Sequence, residues 1–148
     1  MTLNREVVRS GCANIEDALS RLARFAAMPV DQFVANDDAV DAACYRLLAG
    51  IEAALSLCYH VSATHLDQVP EQYATCFNTL LAAGVVEPEL AVRLQMMARI
   101  RNLLLHMDAR VEPSRVHQIL HEHLVDLRAF ALAVARLVDS PIEQPPQK

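Results

Sequence analysis

The chain has 148 residues and a net charge of −5, with 53% apolar and 21% charged residues. That length suits one domain able to bury about two-thirds of its unfolded surface without a metal or disulfide staple, and the composition excludes a largely disordered chain. The 3 glycines, Gly11, Gly50 and Gly84, stand far apart, so there is neither a P-loop nor a dinucleotide-binding fingerprint, and nucleotide-fold enzymes drop out.

Residues 1–6 contain no apolar signal-like run, and no uninterrupted apolar stretch approaches the roughly 20 residues that cross a bilayer, which predicts a cytoplasmic protein. Cys12, Cys44, Cys58 and Cys76 form no C-x-x-C pair and read as packing thiols. The acidic balance disfavours nonspecific nucleic-acid binding over the whole surface. Between Arg93 and Arg115, however, five arginines stand against Asp108 and Glu112, a local basic region on an acidic chain.

Prolines 29, 70, 88 and 113 divide the sequence into helical blocks. In the first block Val8, Cys12, Ile15, Leu19, Leu22 and Ala26 recur at steps of four and three, an amphipathic stripe. A turn is expected from Pro29 to Asn36, and then Asp37 and Asp38 supply N-cap chemistry for a second, long helix striped by Cys44, Leu47, Ile51, Leu55, Cys58 and Val61. The third helix is expected to open at Pro70, carry Tyr73, Phe77, Leu80 and Leu81, and stop at Gly84. The fourth opens at Pro88 and runs through Leu90, Leu94, Met97, Arg101 and Leu104 toward His106. The fifth opens at Pro113, with Val116, Leu120, His123, Leu127, Phe130, Val134 and Leu137 on its stripe. No window alternates with period two. The expected fold is all-α, an antiparallel bundle of about five helices spanning residues 1–139, with a disordered tail over 140–148.

An expensive residue on an apolar face marks a place where function offsets its cost. Arg101 falls within about 20° of the middle of the apolar face of the fourth helix, and Asp108 returns to that face if the helix continues. A pairing of Arg101 with Asp108, or with a facing Asp126, is the purely structural reading. His106 has its own structural reading as a histidine near a helix end, where the dipole favours its cation. Asn102 and His106 diverge from Arg101 around the helix, so one chain alone makes a poor triad. A second copy across a twofold axis would bring the groups into one groove.

Arg101-Asn102-Leu103-Leu104-Leu105-His106-Met107-Asp108 resembles the R-x-x-x-x-H-x-Y signature of the HEPN superfamily, and in particular of HepT-like toxins. Further similar segments are residues 46–54, Val69 to Tyr73, Leu81 to Val86, and Val111 to Val116 ahead of the last helix. The resemblance implies a homodimeric, metal-independent ribonuclease toxin without cofactor, paired with a nucleotidyltransferase-type (MntA-like) antitoxin. Arg101 would hold the scissile phosphate of an RNA substrate and His106 would exchange protons with the ribose 2′-hydroxyl or the leaving oxygen. Asn102 would orient the phosphate or the imidazole.

The sequence departs from the signature at Asp108, which stands where the family carries the tyrosine modified by its antitoxin. A carboxylate cannot form the same stable phosphodiester, so control by binding is expected. Tyr45, Tyr59 and Tyr73 lie in other helices and read as packing residues. A noncatalytic helical partner of a nucleotidyltransferase is the alternative, favoured by Asp108 and opposed by the retained Arg101, Asn102 and His106. His117 and His121, spaced i, i+4 beside Glu122 and His123, suggest a metal site, but no second ligand segment completes it, and none is expected.

Overall fold

A computed structural model describes residues 3–72, 75–106 and 111–139. The described residues form six helices and no strand: α1 (Arg5–Ala27), α2 (Val30–Val34), α3 (Asp37–Thr64), α4 (Cys76–Ala82), α5 (Pro88–Leu105) and α6 (Pro113–Asp139). The tail over 140–148 lies outside them, as do Tyr73 and Asp108.

The helix starts follow from local chemistry. The Asn4 side chain accepts hydrogen bonds from the amides of Glu6 and Val7, at 3.0 and 3.2 Å. For α3 the cap is Asn36, whose Oδ1 accepts from the Ala39 amide at 3.0 Å; Asp37 and Asp38, expected as caps, instead occupy the first turn, where they complement the helix dipole. The expected turn after Pro29 winds into α2, because the side chain of Phe33 is fully buried and packs against Phe25 and His117. That burial makes six helices rather than five. The helix expected from Pro70 begins only at Cys76, and Gly84 then takes a φ of +76°, the left-handed conformation that ends it.

Three long helices form the core. Cross-contacts run in opposite order along α1 and α6: Arg5 donates to the Val138 carbonyl at 2.8 Å, Cys12 to the Ala131 carbonyl at 3.5 Å, and Arg128 lies 3.8 Å from Glu16. The same holds between α1 and α3, where Gly11 lies against Leu57 and Ala18 against Gly50. Helix α1 is therefore antiparallel to both α3 and α6, which run parallel to each other, a departure from a purely antiparallel bundle. At Gly50 a Cβ would come within 3.2 Å of the Ala18 Cβ, so glycine lets these helices approach closely. Helix α4 joins through Phe77, stacked edge-on against Phe130 at 5.5 Å.

Helix α3 is long and apolar enough to cross a membrane by length and composition alone, which the sequence reading did not anticipate. Its stripe from Ala39 to Val61 is buried against the other helices, the property of a central bundle helix. Helix α5 differs from its neighbours in being apolar on two faces. Ala91, Leu94, Met97, Ala98 and Ile100 are buried, while Val92, Met96, Leu103 and Leu105 are exposed.

Candidate functional site

Arg101, Asn102 and His106 all belong to the C-terminal end of α5. Arg101 is mostly covered, its side chain 16% exposed, and its Nε–H donates to Oε1 of Glu52 on α3. Its Nη1 donates to the Asn102 Oδ1 at 3.3 Å, so arginine and asparagine form one polar unit. Glu52 was not a site residue expected from the sequence, because no local spacing links it to a partner 49 positions away.

His106 caps α5 in an extended conformation, its amide donating to the Asn102 carbonyl at 3.2 Å, and its side chain is exposed. The helix therefore ends one residue before it, and Asp108, expected on the Arg101 face, lies outside the described residues. The expected position of His106 at a helix C-terminus holds.

Asp126, the other expected partner of Arg101, is committed elsewhere. One oxygen lies 3.3 Å from Arg93 Nη1 of α5 and the other 3.1 Å from His123 Nδ1, with both His123 and Asp126 buried. This network fixes the N-terminal half of α5 to α6, while Arg101 and Glu52 fix its C-terminal half to α3. Arg115 lies 4.0 Å from Glu122. Three arginines of the local basic region thus carry carboxylate partners, and Arg99 is exposed; Arg110 lies outside the described residues.

Among the described residues no three His, Cys, Asp or Glu side chains gather as a metal site would need. His117 Nε2 instead meets the Met28 carbonyl at 2.8 Å, tying α6 to the end of α1, with the ring of His121 4.6 Å away. Burial raises the thiol pKa of Cys12 and of Cys44, and for Cys58 the hydrogen-bonded Cys76 thiol raises it first and burial second. These three favour the neutral thiol, the opposite of an activated nucleophile. Of the tyrosines expected to pack, Tyr59 does lie against the core, but Tyr45 is 66% exposed, with the Arg46 guanidinium 5.4 Å from its ring.

Beside this site, α1 and α3 border an open groove of about 640 Å³ lined by Asn14, Arg46, Ala49, Glu52 and Ala53 among others. Glu52 thus borders the groove and holds Arg101.

A model of the family described as ribonuclease HepT-like matches residues 15–134, a span that includes Glu52, Arg101, Asn102 and His106. The chain belongs to the HepT-like family. No curated protein sequence matches it. Its fold is similar to that of a tri-AMPylated Shewanella oneidensis HEPN toxin solved in complex with MNT antitoxin, with a TM-score of 0.79 and 19% identity over 86% of this chain and 96% of that one. A mutant toxin–antitoxin MntA–HpeT complex is similar at a TM-score of 0.78 and 19% identity, covering 86% and 97% of the two chains. A toxin–antitoxin structure with AMP-PNP matches with the same figures. The helical arrangement of this HepT-like chain is therefore similar to that of the HEPN toxin structures.

Proposed function

We propose that this HepT-like chain is a metal-independent endoribonuclease toxin that acts in the cytoplasm as a homodimer, under a nucleotidyltransferase-type antitoxin. The observation that carries the reading is the Arg101–Asn102 unit one turn before an exposed His106, at the end of a helix whose outer face is apolar. Supporting the dimer, Val92, Met96 and Leu103 recur at helical spacing on that outer face, an unpartnered stripe suited to a second copy.

In this reading Arg101 forks onto non-bridging phosphate oxygens and stabilises the charge that builds in the transition state. His106 takes the proton of the ribose 2′-hydroxyl as its oxygen attacks phosphorus. The imidazolium of the second copy returns a proton to the departing 5′-oxygen, which leaves a 2′,3′-cyclic phosphate and a 5′-hydroxyl. Asn102 holds the guanidinium in line. Asp108, at the position of the modified tyrosine, makes binding rather than nucleotide transfer the mode of antitoxin control.

One observation favours a noncatalytic binding partner instead: Glu52 already occupies the Arg101 Nε–H that a phosphate would use. Growth arrest on expression separates the two. A toxin is expected to arrest growth with loss of RNA, and Arg101→Ala and His106→Ala each relieve the arrest; an inert binding module arrests nothing.

A further inference from the structure

The groove between α1 and α3 has no role in the chemistry described so far. Its volume of about 640 Å³ falls in the roughly 300–1,000 Å³ range of small-ligand sites. Ala49 and Ala53, half-buried and short, leave a strip of apolar surface beside Val7, above the seam where Gly11 packs on Leu57 and Ala18 on Gly50. Ser10 and Asn14 on α1 and Ser56 on α3 add neutral hydrogen-bonding groups, and Glu6, Asp17, Arg46 and Glu52 add charges. A short apolar strip bordered by hydrogen-bonding groups suits a single unstacked nucleobase.

The charges narrow the ligand further. Glu6, Asp17 and Glu52 line the groove against one cation, Arg46. Asp17 is paired with Arg21 at 3.1 Å and Glu52 with Arg101, while Glu6 makes no ion pair among the described residues. Such a lining repels a run of phosphates but has room for one, at Arg46. Carboxylate and amide oxygens accept from N–H donors, so the base edge they suit is rich in amino and imino hydrogens. Guanine offers adjacent donors on its pairing edge, whereas uracil offers one N–H between two carbonyls that carboxylates oppose.

We infer that the α1–α3 groove is a subsite for one guanine-type nucleotide of a single-stranded RNA, set beside Arg101 through their shared neighbour Glu52. The inference rests on the ribonuclease reading, which it deepens by assigning a base preference to the same site. A base seated against Ala49 and Ala53 adjoins Glu52, the residue that holds Arg101.

The test titrates the isotope-labelled full chain with guanosine 5′-monophosphate, uridine 5′-monophosphate and inorganic phosphate, following backbone amide shifts. Saturable shifts at groove-lining residues are expected with the guanosine nucleotide, at least about tenfold weaker binding with the uridine nucleotide, and no matching shifts with phosphate. Ala53→Leu fills the groove and is expected to weaken guanosine nucleotide binding by about tenfold or more. Asn14→Ala, on the exposed face of α1, provides a second weakening variant that leaves the packing intact. Equal binding of the two nucleotides, shifts reproduced by phosphate alone, indifference to both substitutions, or no saturable shift would each overturn the inference. If the nucleotide binds as described but the wild type cleaves no RNA, the ribonuclease reading fails while the subsite stands; cleavage without nucleotide binding gives the reverse.

Discussion

Arg101 on α5 and Glu52 on α3 are joined by a charge-assisted hydrogen bond that ties α5 to the central helix of the bundle. The arginine is mostly covered and the glutamate 41% exposed, so water screens the pair only in part. Removing the carboxylate leaves a cation at a partly apolar edge. Glu52→Ala is expected to lower unfolding stability by about 1 kcal/mol, the value for a hydrogen-bonded pair that is not fully buried. Urea unfolding measures it, and Glu52→Gln, which keeps an acceptor, is expected to lose less. An unchanged midpoint for Glu52→Ala would show that the pair does not anchor α5.

The second anchor of α5 is costlier to break. Asp126 is buried and serves both Arg93 and His123, whose buried Nε2 makes no hydrogen bond and lies 3.8 Å from Glu122 Oε2. Asp126→Ala leaves two polar groups without their acceptor, and a loss of about 2–3 kcal/mol is expected. Arg93→Ala should cost less, because that side chain is more than half exposed. Equal losses for the two variants, read from urea midpoints, would contradict this ordering.

Most of the helical frame was legible from prolines and periodicity, since the buried residues of α1, α3 and α6 recur at helical spacing and prolines 29, 88 and 113 stand at helix borders. What was not legible depended on tertiary packing. The short helix α2 exists because Phe33 finds a buried pocket, and α4 starts at Cys76, where Cys76 and Phe77 reach the core, rather than at Pro70. At the site, the arginine and histidine were visible by spacing, but Glu52 was not, because its partner lies 49 positions away. Asp126 was expected at Arg101 and is instead held by Arg93 and His123, a choice that only the relative rotation of α5 and α6 decides.

The proposed dimer makes a prediction about mixing. Light scattering of the wild type at micromolar concentration is expected to give twice the 16.4 kDa chain mass. Arg101→Ala and His106→Ala chains, each inactive alone, are expected to recover part of the activity when unfolded together and refolded, because each groove then draws complementary groups from two copies. A monomer mass in solution would contradict the composite groove.

Control by binding has its own signature at Asp108. Incubated with ATP, magnesium and a nucleotidyltransferase-type antitoxin, the wild type is expected to keep its intact mass, while Asp108→Tyr gains stable adenylate additions at the restored hydroxyl. Equal additions on both proteins would contradict control by binding and direct mapping first to the exposed Tyr45.

The most direct test of the ribonuclease reading is the chemistry of the cut ends. Purified chain is incubated with single-stranded RNA in excess EDTA, beside Arg101→Ala and His106→Ala, and the product termini are identified. The account predicts cleavage in EDTA with 2′,3′-cyclic phosphate ends, reduced about 10²–10⁴-fold by loss of the His106 proton-transfer group and comparably by loss of Arg101. Cleavage abolished by EDTA, ends bearing a 3′-hydroxyl and 5′-phosphate, or activity unchanged in both variants would contradict it.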